Sequence, residues 1–129
     1  MKSIYLCALS LLMLLSTCKD DSATGPADDF FIPNISNQWD SSRDNSKFFF
    51  NPEKRDVNES TFTGSEQGEG FNDEFSGKFK NYYIEFTFSG GKDANVKYVG
   101  KFIKGSNPLR IEVQGTNNVK LVLIQRLNN

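Results

Sequence analysis

From residue 34 onward the side chains alternate apolar and polar with a period of two, and this pattern constrains the fold more than any other feature. Phe75, Gly77 and Phe79 alternate with Ser76, Lys78 and Lys80; Ile84, Phe86 and Phe88 alternate with Glu85 and Thr87. Tyr98, Gly100 and Phe102 alternate with Lys97, Val99 and Lys101. Leu109, Ile111 and Val113 do so with Arg110 and Glu112, and Val119, Leu121 and Leu123 with Lys120 and Val122. Successive side chains of a strand face opposite ways, so each segment offers one face to a core and one to water. Stretches at 35–40, 47–51 and 60–64 carry the same signal more faintly, which makes about eight strands. Turn residues separate them: Asn51-Pro52, the glycines of 68–70, and the segments 90–93, 105–108 and 115–118. No stripe of helical spacing follows the first residues.

An internal repeat narrows the architecture. Phe75-Ser76-Gly77-Lys78-Phe79 returns as Tyr98-Val99-Gly100-Lys101-Phe102, with a fainter copy at Phe62-Thr63-Gly64. Glycine inside a strand weakens it unless something needs the missing side chain. Between two inward aromatics it lets the strand coil and lets flanking rings fill the space, as a small closed barrel requires. The expected fold is all-β: a small antiparallel up-and-down barrel, with a β-sandwich as the alternative. Closure removes exposed strand edges. The 12 Phe, the 1 Trp and the 3 Tyr beyond Tyr5 supply a core without a disulfide, since Cys7 and Cys18 both precede the barrel segment.

The first residues give an address. Met1, Lys2 and Ser3 start positively, residues 4–15 are almost continuously apolar, and Cys18 is followed at once by Lys19-Asp20-Asp21. The apolar run is short of the roughly 20 residues that span a bilayer, so it reads as a signal peptide. Leu15-Ser16-Thr17-Cys18 resembles the bacterial lipobox, with Thr17 where Gly, Ala or Ser is usual. The resemblance implies cleavage before Cys18 and acylation there. Several acyl chains hold a protein to a membrane durably, where one holds only marginally. Lys19-Asp20-Asp21 resembles the signal that sends lipoproteins of some Gram-negative bacteria to the outer face of the outer membrane. Asp21-Ser22-Ala23 is similar to their short O-glycosylation sequon, at Ser22. The expected organisation is a signal peptide at 1–17, a lipidated cysteine and flexible linker at 18–33, and one β-barrel domain at 34–129. Within the linker, the apolar Phe30-Phe31-Ile32 is expected to pack on the edge of the domain.

Charge and residue type limit the chemistry. Residues 18–75 hold 5 Lys or Arg against 13 Asp or Glu, and residues 76–129 hold 9 against 3, so the halves carry −8 and +6. That is either a basic face for an anionic partner or two halves that neutralise each other. Neutralisation is favoured, because the cations fall on alternating strand positions and make no tract for nucleic acid. The chain has no His, and no Cys after Cys18, which removes the commonest general base, metal ligand and nucleophile. No enzyme, metal site or cofactor is expected. The acidic residues between Glu66 and Glu74 lack the spacing of a calcium loop and read as a solvated loop.

Trp39 in the first expected strand and Arg126 near the end of the last bring the pattern close to a known group. Together with the inward aromatic-Gly-aromatic strands, they resemble the lipocalin-like and avidin-like (calycin) barrels. The resemblance implies that Trp39 closes the bottom of the barrel and that Arg126 stacks across it. Asn37 stands where that group usually has Gly, and no length remains for a C-terminal helix. Trp39, Tyr82, Tyr83 and Tyr98 are the candidates for a pocket rim. The expected function is an anchored binding module for a small or extended ligand, using the barrel mouth, which inward Phe side chains leave shallow. The alternative is a protein–protein module, an inhibitor or accessory subunit, with contacts in the loops at 90–93 and 105–108.

Overall fold

A computed structural model describes residues 29–127. The eight strands are β1 (Gln38–Ser41), β2 (Lys47–Pro52), β3 (Glu59–Gly68), β4 (Phe71–Lys80), β5 (Tyr83–Phe88), β6 (Lys97–Phe102), β7 (Arg110–Gly115) and β8 (Lys120–Gln125). Each pairs antiparallel with the next, and β8 closes on β1, with Trp39 opposite Gln125. The up-and-down barrel holds and the sandwich alternative falls. The closed antiparallel arrangement is compatible with a calycin-like fold.

The inward phase is the one the alternation predicts. Phe75, Phe79, Ile84, Phe86, Phe88, Tyr98, Phe102, Ile111, Val113, Leu121 and Leu123 are all buried, joined by Trp39, Phe48, Phe50 and Phe62 from the first three strands. Burial of one such side chain contributes about 2 kcal/mol. The rings fill the axis in tilted, edge-on and stacked contacts: Phe75 and Phe86 lie 4.9 Å apart, Phe50 and Phe62 5.2 Å, and Phe86 and Tyr98 5.5 Å.

The repeated glycines mark close approaches. A Cβ on Gly77 would fall on the carbonyl of Glu85 and the Cα of Phe86; one on Gly100 would fall on the carbonyl of Glu112 and the Cα of Val113. At both positions the space belongs to the backbone of the adjacent strand. At the fainter copy, Gly64, the carbonyl of Phe49 on the adjacent strand takes it together with the ring of Phe75.

Three boundaries differ from expectation. β3 continues to Gly68 and β4 begins at Phe71, so Glu66, Asp73 and Glu74 lie in strands and only Glu69 and Gly70 make the turn. The solvated acidic loop is thereby corrected: Glu66 is fully buried. Ile35 precedes β1 rather than belonging to it, and Asp29 already contacts the barrel through Lys104.

The turns β2–β3, β4–β5 and β6–β7 gather at the end where residues 29–37 arrive, here the entry end. The turns β1–β2, β3–β4, β5–β6 and β7–β8 gather at the far end. The outward positions of β4 are polar: Asn72, Glu74, Ser76, Lys78 and Lys80 are all exposed. A membrane-spanning barrel would need an apolar band there. No helix among the described residues is long and apolar enough to cross a membrane.

Candidate functional site

The far end is closed by charge. Arg43 sits in the β1–β2 turn, which reverses through Asp44 and Asn45 at φ 55° and 51°, a conformation that short polar side chains tolerate. Its guanidinium reaches over the barrel mouth. Nη2 donates to Oε1 of Glu66 at 2.8 Å, and Nη1 donates to the Tyr98 hydroxyl at 3.0 Å and meets Oδ2 of Asp93 at 2.7 Å. Ser46 donates to Oε2 of Glu66 at 2.5 Å, and the Tyr98 hydroxyl donates to Asp93 at 2.7 Å. Asp93 comes from the 3-10 turn Gly91–Asp93 between β5 and β6. Lys92 lies 4.0 Å from Glu66, 3.2 Å from Asp44 and 4.0 Å from the centre of the Phe71 ring.

The environment explains the titration of this group. Burial works against the charge on Arg43, but hydrogen bonds to Glu66 and Asp93 outweigh it and raise its pKa further. Burial, helped by the bond to Asp93, raises the pKa of the Tyr98 phenol; Asn117 and Arg43 oppose that rise. No buried side-chain polar atom among the described residues lacks a partner. The donors and acceptors of the cluster are spent on one another, so its chemistry is that of a clasp holding two loops to β3 and β6.

The entry end is closed by rings. Trp39 is fully buried and donates its indole N–H to the carbonyl of Ile35 at 3.1 Å. Phe50 and Phe102 are its aromatic neighbours, at 6.0 and 6.5 Å. Phe31 stacks flat on Tyr82, 4.2 Å away with 6° between planes, and packs on Phe102. Its backbone N–H donates to Asn81. The expectation for Phe30-Phe31-Ile32 therefore holds for Phe31, whereas Phe30 and Ile32 point to solvent.

Arg126 is placed differently from what the calycin resemblance implies. Gln125 is the residue opposite Trp39, so its neighbour Arg126 points outward, where its Nε lies 3.5 Å from Asp40. Gln125 takes the inner place and donates to the carbonyl of Asn34 at 2.7 Å. Of the rim candidates, Trp39 and Tyr82 both lie at the entry end, Tyr98 lies in the far-end clasp, and Tyr83 stands half-buried on the outer wall. They form no common rim. Cys18, Lys19, Asp20, Asp21 and Ser22 lie outside the described residues.

With both ends closed, the recess that stands out is on the outside. A trough of about 720 Å3 crosses the outer wall of β3, β4 and β5. Thr63, Ser76 and Thr87 pave it in one cross-strand row, with Thr61, Lys78 and Glu85 in the next. Smaller recesses sharing Thr61 and Lys78 on one side, and Thr63 and Ser76 on the other, extend it towards both ends. Glu85 is shielded by Lys97 at 2.6 Å and Lys78 at 3.4 Å. The bond to Lys97 holds its carboxyl below the ordinary range against the opposing effect of burial, and Lys78 adds to the effect. Neutralisation between the halves of the chain is seen in the pairs Lys92–Asp44, Lys104–Asp29 and Arg126–Asp40.

Nothing in the alternation of the chain marks Arg43, Glu66 and Asp93 as partners. One signal for Glu66 was available: it shares the phase of Phe62 and Gly64, so the inward face of β3 carried a carboxylate. No family model matches the chain, and neither a curated protein nor a solved structure matches it.

Proposed function

We propose that this chain is an outer-membrane lipoprotein, acylated at Cys18 and displayed outward through Lys19-Asp20-Asp21, whose barrel binds an extended polar ligand on its outer wall. The lipobox-like and export-like residues support the anchor. One observation carries the binding mode: the axis is packed with rings and both ends are capped, while the hydroxyl-paved trough over β3–β5 is open. The barrel is compatible with a calycin-like plan, but an interior ligand would have to displace phenyl rings, which makes the outside the better binding surface.

Two experiments test this. Labelling with a palmitate analogue should mark the wild-type chain and not Cys18→Ala, and protease added to intact cells should remove the domain. Thermal melts should be unmoved by small apolar molecules. A soluble polymer fragment that raises the Tm should lose that effect in Thr63→Trp and Thr87→Arg. An apolar ligand whose stabilisation survives both substitutions overturns the outer-wall reading. The protein–protein alternative is favoured by one feature, the clasp that fixes the β1–β2 and β5–β6 loops at the far end. Preorganised loops lose less freedom on binding. A partner whose binding resists both trough substitutions but is lost on recasting the β5–β6 loop would establish it.

A further inference from the structure

The entry end combines features that the proposed binding site does not use. Residues 29–35 cross it as an extended strap, with Phe31 and Ile35 turned in and Phe30 and Ile32 turned out, the latter 72% and 45% exposed. Leu127, 53% exposed, leaves the barrel at the same end, next to Arg126, whose N–H donates to the carbonyl of Gln38. The strap lies on the β4–β5 and β6–β7 hairpin ends, through Asn81, Tyr82 and Lys104. Those two ends, residues 80–83 and 101–110, hold Lys80, Lys101, Lys104 and Arg110 and no carboxylate. Among the described residues, Lys80, Lys101 and Arg110 have no ion pair, and Lys104 has only Asp29. The β2–β3 turn beside them is balanced, with Glu53, Lys54, Arg55 and Asp56.

We propose that the entry end of the barrel docks on the anionic headgroup layer of a lipid bilayer, with Phe30 and Ile32 inserted and Lys80, Lys101, Lys104 and Arg110 facing the phosphates. Exposed large apolar side chains ringed by cations are the composition of interfacial membrane contacts. The long lysine stems can lie along apolar surface while their ammonium groups reach phosphate. The length of the preceding chain argues for the same occupant. Cys18 lies eleven residues before Asp29, and a chain of that length reaches at most about 40 Å even when fully extended. An acyl anchor at Cys18 would keep this end, and not the clasp, beside the bilayer. Docking would then point the far-end loops away from the membrane and leave the trough upright and open. The proximity argument rests on acylation at Cys18; the docking chemistry does not.

The test uses the unacylated chain starting at Lys19, since every contact described for the barrel lies within residues 29–127. It is mixed with phosphatidylcholine vesicles with and without phosphatidylglycerol. Co-sedimentation is expected only with the anionic vesicles and should weaken as salt is added. In Phe30→Trp, fluorescence should shift to the blue on vesicle addition, over the constant signal of buried Trp39. The double variant Phe30→Ser/Ile32→Ser should bind about tenfold more weakly, as should Lys80→Glu/Lys101→Glu, while Val99→Ser on the outer wall should match wild type. Equal binding to neutral vesicles, or binding unchanged in both double variants, overturns the proposal. So does a blue shift of Phe30→Trp without lipid accompanied by dimer in sedimentation, which would assign this end to a second copy. Palmitate labelling is scored separately, so docking can fail while the anchor stands, and the reverse.

Discussion

The two ends of this barrel solve one problem with opposite chemistry. At the entry end, Phe31, Tyr82, Phe102 and Trp39 stack over the interior and exclude water by apolar contact. At the far end, Arg43, Glu66, Asp93, Tyr98 and Ser46 cover the same interior with a closed set of charge-assisted hydrogen bonds. An apolar lid contributes in proportion to the area it buries, and losing one ring removes that ring's share. A charged lid is cooperative. Its members were taken out of water together, so removing one strands the others. The entry end should tolerate partial erosion, whereas the far end should tolerate complete replacement better than partial loss.

Five single substitutions and one triple replacement break or sharpen this contrast, from the largest effect to the smallest. Trp39→Ala opens the deepest part of the apolar lid and should cost about 4 kcal/mol in urea unfolding. Arg43→Met leaves Glu66 and Asp93 facing each other without their cation and should cost about 3 kcal/mol. Replacing Arg43, Glu66 and Asp93 together by apolar residues of similar size should cost less than Arg43→Met alone. If the triple variant is the least stable, the clasp is not a cooperative unit. Phe31→Ala removes one stacked ring from the strap and should cost about 2 kcal/mol without changing the cooperativity of unfolding.

Tyr98→Phe should cost about 1 kcal/mol at neutral pH, because Asp93 loses a donor. It also makes a pH test. The folded pKa of Tyr98 lies above the unfolded value of about 10, so the neutral phenol is favoured in the barrel. That contribution is complete below pH ~10 and is lost as pH rises through the raised value. The alkaline loss of stability should be smaller in Tyr98→Phe. The weakest effect belongs to Glu85→Gln on the outer wall. The folded pKa of Glu85 is lowered by Lys97, so its contribution is present above the unfolded carboxylate value and fades as pH falls through the folded one. Glu85→Gln should flatten the acid limb of the stability curve and leave the neutral value nearly unchanged, because Lys78 and Lys97 are largely solvated.

What was legible in the chain follows from where the pattern was dense. β4 through β8 place an apolar or glycine residue at nearly every inward position, so their period of two survives in the sequence. β3 was cut short at residue 64 because its inward face continues as Gly64, Glu66 and Gly68, which contains no apolar side chain to carry the period. β1 was extended back to residue 35 because Ile35 is apolar, although it packs from the strap. Arg126 was assigned to Trp39 by resemblance alone, yet one register step decides which of two neighbours faces inward, and that neighbour is Gln125.

By themselves, the amino acids determined an antiparallel β structure, its inward face and its curvature. These are local consequences of side-chain alternation and of glycines where strands approach, and each operates within a few residues. Tertiary structure alone decided that Arg43 meets Glu66 and Asp93, which lie 23 and 50 positions away, and that rings close one end while charges close the other. Closure of β8 on β1 brings those distant side chains into one layer, and pairing across such separations depends on register around the whole circumference, which no local pattern encodes.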